Sequence, residues 1–321
     1  MNIKPIIVVA GEPFSVFLEI FYKSLKKNNF KKPIILIASK KLVEAQMVKL
    51  NYKFKINLLN IYKLRFKHLK KNEINLINVE FKFKEIFDKI SDKSNSYIEK
   101  CFSISLKILK NNECSGLING PISKKHFLKG KNLGITEYLA NKTKKNNNVA
   151  MLIFNKDISV SPITTHLALK DVNKQITKKK LYDHVKLITK FYKKNFKKEA
   201  RIAITGLNPH CESNFKNCEE DAIITPAIRN LKKQNFKVEG PFPADTIFMK
   251  QHLKNFDIVI GMYHDQVLSP MKALFGFDAI NITLGLPFIR ISPDHGPNTP
   301  MLGKNLSNPQ SLIKALKFLD R

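Results

Sequence analysis

Three histidines, His166, His210 and His264, each close an apolar run: ISVSPITTH, RIAITGLNPH and FDIVIGMYH. Neutral imidazoles bind divalent metals, and three brought together leave coordination positions open for substrate oxygen or nitrogen. Taken singly, each reads just as well as a hydrogen-bonded loop or core residue. Recurrence in one setting is what favours a shared ion, because His68, His126, His184, His252 and His295 stand in other contexts. Asp245 follows two prolines in GPFPADTIF, a segment that either turns the chain or aims a carboxylate into a cleft. Lys272 and Asn281 lie near the last strand-like runs. Arg290 stands out because arginine is scarce here, the others being Arg65, Arg201, Arg229 and Arg321. It follows the apolar run ITLGLPFI, where its planar fork suits a phosphate or carboxylate, or an inter-lobe salt bridge.

The apolar runs that carry the histidines must be strands whose carboxyl ends open into the histidine-bearing loops. Runs this rich in Ile and Val read as buried parallel strands, and open α/β sheets bind ligands at the carboxyl ends of their strands. The rest of the chain alternates in the same way. Strands are expected at Ile6–Ala10, Pro33–Ala38, Gly116–Asn119 and near 149–154, 158–164, 201–206, 257–262 and 279–284. Helices are expected at Phe14–Lys27, Leu42–Lys49, about Ser94–Lys110, Lys178–Phe191 and Pro226–Gln234. Residues 52–85 are lysine-rich, with only short strand-like pieces. This alternation predicts an α/β class with mostly parallel sheet, in two lobes given the length of 321 residues.

The formal net charge of +30 raises the question of nucleic acid. The excess is almost all lysine, spread over residues 1–200 among many asparagines, with no aromatic-interleaved basic motif. Base-reading surfaces favour arginine, so no specific nucleic-acid partner is expected. No apolar stretch reaches the roughly 20 residues needed to cross a bilayer, and PIIVVA is too short for a signal-peptide core, so a cytoplasmic, membrane-free protein is expected. Cys101, Cys114, Cys211 and Cys218 form no disulfide framework or zinc motif and read as reduced thiols. No GxGxxG occurs, which argues against a standard Rossmann nucleotide site.

Assembled, these segments resemble the 4-hydroxythreonine-4-phosphate dehydrogenases, NAD-dependent enzymes of pyridoxal phosphate synthesis. The likeness runs through VVAGEP, NGPISK (119–124), GITEYLA (134–140), TTH (164–166), GLNPH (206–210), GPFPADT (240–246), GMYHDQ (261–266), NITLGLPFIR (281–290) and DHG (294–296), in order. It implies that His166, His210 and His264 hold the metal, that Thr136, Lys272, Asn281 and Arg290 contact substrate, and that Asp245 lies in the active site. It further implies two α/β/α lobes with mostly parallel sheets and an active-site cleft between them. The lobes are drawn at 1–120 plus 286–321, and at 121–285, the second carrying the metal ligands and dimer interface. A homodimer with shared sites is implied as well. The fold is also similar to that of the isocitrate and isopropylmalate dehydrogenases, in which a loop of form HGxxxxxxGK lines the adenosine end of the cofactor. His295-Gly296 to Gly303-Lys304 matches that form, which implies cofactor contacts at His295, Gly296, Asn298 and Gly303.

Three departures from the family pattern accompany the match. Ile135 replaces the histidine that many members carry before the threonine, which removes a polar substrate contact. Cys211–Phe215 replaces a glycine-rich stretch, so that loop must take another path, and GEPFSVFLE lacks the later glycines of the opening block. The implied reaction is metal-assisted oxidation of 4-phosphooxy-L-threonine by NAD or NADP to 2-amino-3-oxo-4-phosphooxybutanoate, a β-keto acid that decarboxylates to 3-amino-2-oxopropyl phosphate. Asp245 and Lys272 are the candidates for catalysis, with Asp245 serving proton transfer. Three imidazoles suit zinc best, and substrate donors could complete a site for cobalt, manganese or magnesium. The rival substrates are related four-carbon aldonates such as threonate 4-phosphate. A three-histidine metal hydrolase would explain the ligands but not the DHG loop.

Overall fold

The computed structural model describes residues 4–130, 134–145, 148–212, 218–276, 278–293 and 295–321. The chain divides into two compact units, residues 1–138 with 287–321, and residues 139–286. No helix among the described residues is long and apolar enough to cross a membrane.

The first unit is built on six strands: β1 (Ile6–Val9), β2 (Ile34–Ala38), β3 (Ile56–Leu59), β4 (Ile74–Asn78), β5 (Gly116–Asn119) and β12 (Arg290–Pro293). They lie in the order β3-β4-β2-β1-β5-β12, every neighbouring pair parallel. IIVV in β1 and IILIA in β2 are buried at every position, as strands covered on both faces must be. Helices α1 (Phe17–Lys27), α2 (Lys40–Lys49), α3 (Asn95–Leu109) and α9 (Gln310–Leu319) supply the cover: α1 packs beside α2 and α9, α9 against β5 and β12, and α3 against β1, β2 and β5. The helix α1 starts at Phe17 rather than Phe14, because Glu12–Val16 first make a turn in which the Ser15 hydroxyl donates to Glu12 O and accepts from Phe17 N. Helix α4 (Ile135–Lys142) carries the chain out of this unit.

The second unit holds β6 (Ala150–Phe154), β7 (Ser159–Pro162), β8 (Ile202–Thr205), β9 (Val238–Phe242), β10 (Ile258–Gly261) and β11 (Ile280–Leu284), in the order β11-β6-β7-β10-β8-β9. Strands β7, β10, β8 and β9 run parallel, while β6 is antiparallel to both β11 and β7. Helices α5 (Lys178–Phe196), α6 (Thr225–Lys233), α7 (Lys250–Leu253) and α8 (His264–Phe275) complete it. Val160, Ala203, Val259, Val267 and Met271 share one core cluster with Ile247 and Phe256. Residues 240–248, read from sequence as a Pro-stiffened loop, begin as strand: Gly240–Phe242 belong to β9, and the turn comes only after Phe242. The run ITLGLPFI is likewise not one element. Gly285 breaks it at φ +90, with an ideal Cβ only 1.9 Å from Asn148 O, so Arg290 opens β12 instead of ending the preceding strand.

Candidate active site

His166, His264 and His210 follow β7, β10 and β8, three strands that are adjacent and parallel. The register pairs Gly261 with Pro162 and Ile260 with Ile204, so the three connections leave from one carboxyl edge. The rings of His166 and His264 lie side by side, with centroids 5.9 Å apart. His264 Nδ1 lies 2.6 Å from an Asp265 carboxylate oxygen, an acceptor, so this nitrogen donates. His210 is exposed and sits in the left-handed region (φ 56, ψ 12), followed by Cys211 at φ 60. Two successive non-glycine residues in that region are strained, and they set the direction in which this imidazole leaves the chain.

Buried polar side chains hold these connections. Thr164, two residues before His166, donates to Met262 O through both its hydroxyl (2.8 Å) and its amide (3.2 Å). Gln266 accepts from Met262 N and from the Thr205 hydroxyl, and donates to Gly206 O. Glu220, 2% exposed, accepts from Leu207 N, Asn208 N and Asn208 Nδ2 and so braces the loop leading to His210. Burial by itself would raise the Glu220 carboxyl, but the donations from Asn208 and Leu207 outweigh it and hold it below the ordinary range.

Three imidazoles fit a divalent cation in the chemistry of their donors. Two imidazoles bound to one zinc at roughly 2.0–2.1 Å place their ring centres about 5 Å apart, so the His166–His264 pair is slightly wide of a closed site. No three His, Cys, Asp or Glu among the described residues are gathered closely enough to hold an ion, so His210 does not complete the group here. Asp245, exposed just beyond β9, lies close enough to Cys211 that its charge helps raise that thiol, after burial as the main cause. Lys272 is half-buried in α8, and burial pushes its ammonium below the ordinary lysine value. Asn281 in β11 has a buried Oδ1 with no hydrogen-bond partner among the described residues, an acceptor suited to a substrate donor.

In the first unit, Arg290 is fully buried. Its Nε donates to Asn119 Oδ1 at 2.7 Å and its Nη1 to Thr136 Oγ1 at 3.4 Å, joining the NGPISK and GITEYLA segments. Burial lowers the guanidinium to about 10 against the opposing charge of Glu137, which leaves it cationic at neutral pH. His295 Nδ1–H donates to Gly296 O at 2.9 Å, leaving the buried Nε2 an acceptor without a partner among the described residues. Burial lowers this imidazole, the first cause being desolvation, and a neutral ring of that tautomer can receive a cofactor N–H or O–H. A Cβ at Gly296 would meet only open space, Asn298 is left-handed at φ 49, and Gly303 has φ +76 with the Phe87 ring 2.9 Å from its Cβ position. Asp294 of the DHG block, and residues 213–215 of the stretch expected to take another path, lie outside the described residues.

The supports Glu220, Gln266 and Asn119 escaped the reading from sequence, although Gln266 and Asn119 fall inside quoted blocks. So did Glu12, which is 2% exposed at the end of β1. Its Oε1 accepts from Ser94, its Oε2 has no hydrogen-bond partner among the described residues, and burial raises its carboxyl to about 6. Two cavities, of about 390 and 560 Å³, are lined by Phe21, Phe30 and Phe54 and by Arg65, Lys67 and Lys107 respectively; neither includes any candidate site residue.

Residues 29–319 match the family model described as pyridoxal phosphate biosynthetic protein PdxA. A 4-hydroxythreonine-4-phosphate dehydrogenase from Sulfurihydrogenibium sp. is 39% identical over 249 residues, 76% of this chain and 75% of its own. A provisionally named D-threonate 4-phosphate dehydrogenase from Oceanobacillus iheyensis is 29% identical over 98% of this chain and 97% of its own. The crystal structure of a 4-hydroxythreonine-4-phosphate dehydrogenase from Burkholderia phymatum superposes with a TM-score of 0.82 at 26% identity, covering 100% of this chain and 98% of that one.

Proposed function

The chain belongs to the PdxA family of pyridoxal phosphate biosynthetic proteins, and on that footing we propose that it oxidises 4-phosphooxy-L-threonine with NAD or NADP. The observation that carries the reading is that the connections bearing His166, His210 and His264 leave from one carboxyl edge of adjacent parallel strands. These residues would hold the cation, zinc by preference, with magnesium, manganese or cobalt as substitutes. When bound, the cation lowers the pKa of a substrate hydroxyl and offsets negative charge developing on its oxygen, while the nicotinamide accepts hydride.

The chain's own groups account for the remaining work. Asp245 or Lys272 takes the proton of the C3 hydroxyl as hydride leaves C3; the lowered pKa of Lys272 is the direction proton transfer at neutral pH requires. Arg290 and Thr136 bind the anionic substrate, and the orphaned Oδ1 of Asn281 receives one of its donors. His295, Gly296, Asn298 and Gly303 form the cofactor loop. The product, 2-amino-3-oxo-4-phosphooxybutanoate, is a β-keto acid; its C–COO⁻ bond breaks with the electrons passing toward the ketone, and protonation of C2 yields 3-amino-2-oxopropyl phosphate and carbon dioxide. The same reading makes the protein a cytoplasmic homodimer with sites shared between subunits.

Threonate 4-phosphate is the second reading, favoured by Ile135, an apolar residue at the start of α4 beside Thr136. The deciding experiment follows NAD(P)H formation from the phosphorylated threonine and threonate, with and without added divalent metal. His210→Ala should abolish turnover while leaving the far-UV circular dichroism unchanged. Parent-like turnover in a rigorously chelated sample would refute the metal role, and a higher kcat/KM for the threonate would move the assignment to the aldonate.

A further inference from the structure

We propose that Gln266 is a positioning residue for the histidine site, coupling the loop of His210 to the loop of His264 through the backbone. The proposal rests on the three-histidine reading given above. Gln266 lies in the first turn of α8 with its side chain turned inward, 9% exposed. Oε1 accepts from Met262 N at 2.7 Å and from Thr205 Oγ1 at 2.9 Å, and Nε2 donates to Gly206 O at 2.8 Å. The orientation of the amide is not ambiguous. A backbone N–H can only donate and a backbone carbonyl can only accept, so the reversed amide would face N–H with NH2 and C=O with oxygen.

Met262 is the hub of this connection. Its N–H goes to Gln266 and its carbonyl receives Thr164 twice, so the peptide after β10 is tied on one side to the His166 loop and on the other, through Gln266, to the His210 loop. Gly261, at the end of β10, makes room for the Gln266 side chain, and Gly206, just past β8, makes room for Cys211 and Glu220. A Cβ at Gly261 would lie 3.0 Å from Gln266 Oε1 and 2.4 Å from Val267 Cγ1, and one at Gly206 would lie 2.8 Å from Cys211 Sγ and 2.9 Å from Glu220 Oε1. Each replacement of Gln266 by an apolar side chain leaves Met262 N and Gly206 O buried without their partner and frees the two loops to shift apart. A cation that needs all three imidazoles reports such a shift directly.

The test is titration of the metal-free full-length protein with Co²⁺, followed by visible ligand-field absorption and by chelator competition. Gln266→Leu should weaken Co²⁺ about ten- to hundredfold, the usual effect of losing a group that orients metal ligands, and alter the bands, with KM for NAD(P) and far-UV circular dichroism unchanged. Thr205→Val, which spares both backbone partners, should stay close to the parent. Parent-like affinity and bands in Gln266→Leu, or an equal loss in Thr205→Val, would overturn the coupling. Should Gln266→Leu fail to fold, Gln266→Glu serves in its place, since it keeps the acceptor for Met262 N but turns an oxygen toward Gly206 O. Absence of Co²⁺ uptake by the parent, or uptake undiminished in His210→Ala, would overturn the three-histidine reading itself.

Discussion

Replacing Glu220 by glutamine keeps its shape and one acceptor but removes its charge, and the hydrogen bonds it makes set the size of the effect. Oε1 accepts from Leu207 N at 2.6 Å and Asn208 N at 2.9 Å, and Oε2 accepts from Asn208 Nδ2 at 2.8 Å. A hydrogen bond to a charged group nets about 1.5–3 kcal/mol against about 0.5–1.5 for a neutral one, so discharging the two backbone bonds costs about 2 kcal/mol. The third becomes donor against donor unless the Asn208 amide rotates, which then surrenders its 3.0 Å bond to Glu219 Oε2 and costs about 1 kcal/mol more. A loss of about 3 kcal/mol corresponds to a fall in Tm of about 6–12 °C for a unit of this size. The sign with pH is fixed by the lowered folded pKa. The contribution is complete above the unfolded value of 4.5 and disappears as pH falls through the lower folded value, where the native carboxylate must be protonated. Thermal unfolding of parent and Glu220→Gln across a pH series should therefore show a gap that is widest at neutral pH and closes in acid. A gap that is absent, or that stays constant into acid, would refute the charge-assisted bracing of the His210 loop.

Glu12 has the opposite sign. Its carboxyl is raised from 4.5 to about 6, chiefly by burial, so its stabilising term is complete below 4.5 and is lost as pH rises through 6. Glu12→Gln should accordingly gain about 2 kcal/mol relative to the parent at about pH 8 and nothing at about pH 4; an equal gain at both would contradict the buried-carboxylate account. Arg290→Lys keeps the cation but loses the fork that reaches Asn119 and Thr136. KM for the phosphorylated substrate should rise about ten- to hundredfold, from the roughly 1.5–3 kcal/mol of a charge-assisted bond, with KM for NAD(P) unmoved. A change in KM for NAD(P) instead would assign Arg290 to the cofactor.

The strands that carry the histidines were legible because their burial is local and complete. SVSP, IAIT and IVIG are buried throughout, and each ends where a histidine-bearing loop begins. Their order in space, β7-β10-β8, was not legible, since nothing in a strand's own residues names its neighbours. Strand β9 was hidden by its composition: VEGPF contains glycine and proline, which weaken any strand reading, and it is accommodated at the end of the strand order, where a missing N–H matters least. Strands β3 and β4 were obscured by the lysine-rich sequence around them, and β12 by the break at Gly285 inside one apolar run.

The supports of the site were illegible for a different reason. Gln266 in YHDQ and Glu220 in CEED look like ordinary solvated residues at the start of helical segments, and only the close approach permitted by Gly206 and Gly261 turns them into buried links. The same contrast explains how a chain of net charge +30 can keep this edge intact. Pairs such as Lys40–Glu44, Lys174–Asp171 and Lys237–Glu199 are exposed on both sides and contribute little, so lysine can accumulate around them at almost no cost to the fold. At Gln266, Glu220 or Arg290 any exchange strands a buried partner, at about 1–3 kcal/mol for each unsatisfied group. Surface charge and site geometry are thus set by separate residues, and the lysine excess carries no information about the reaction.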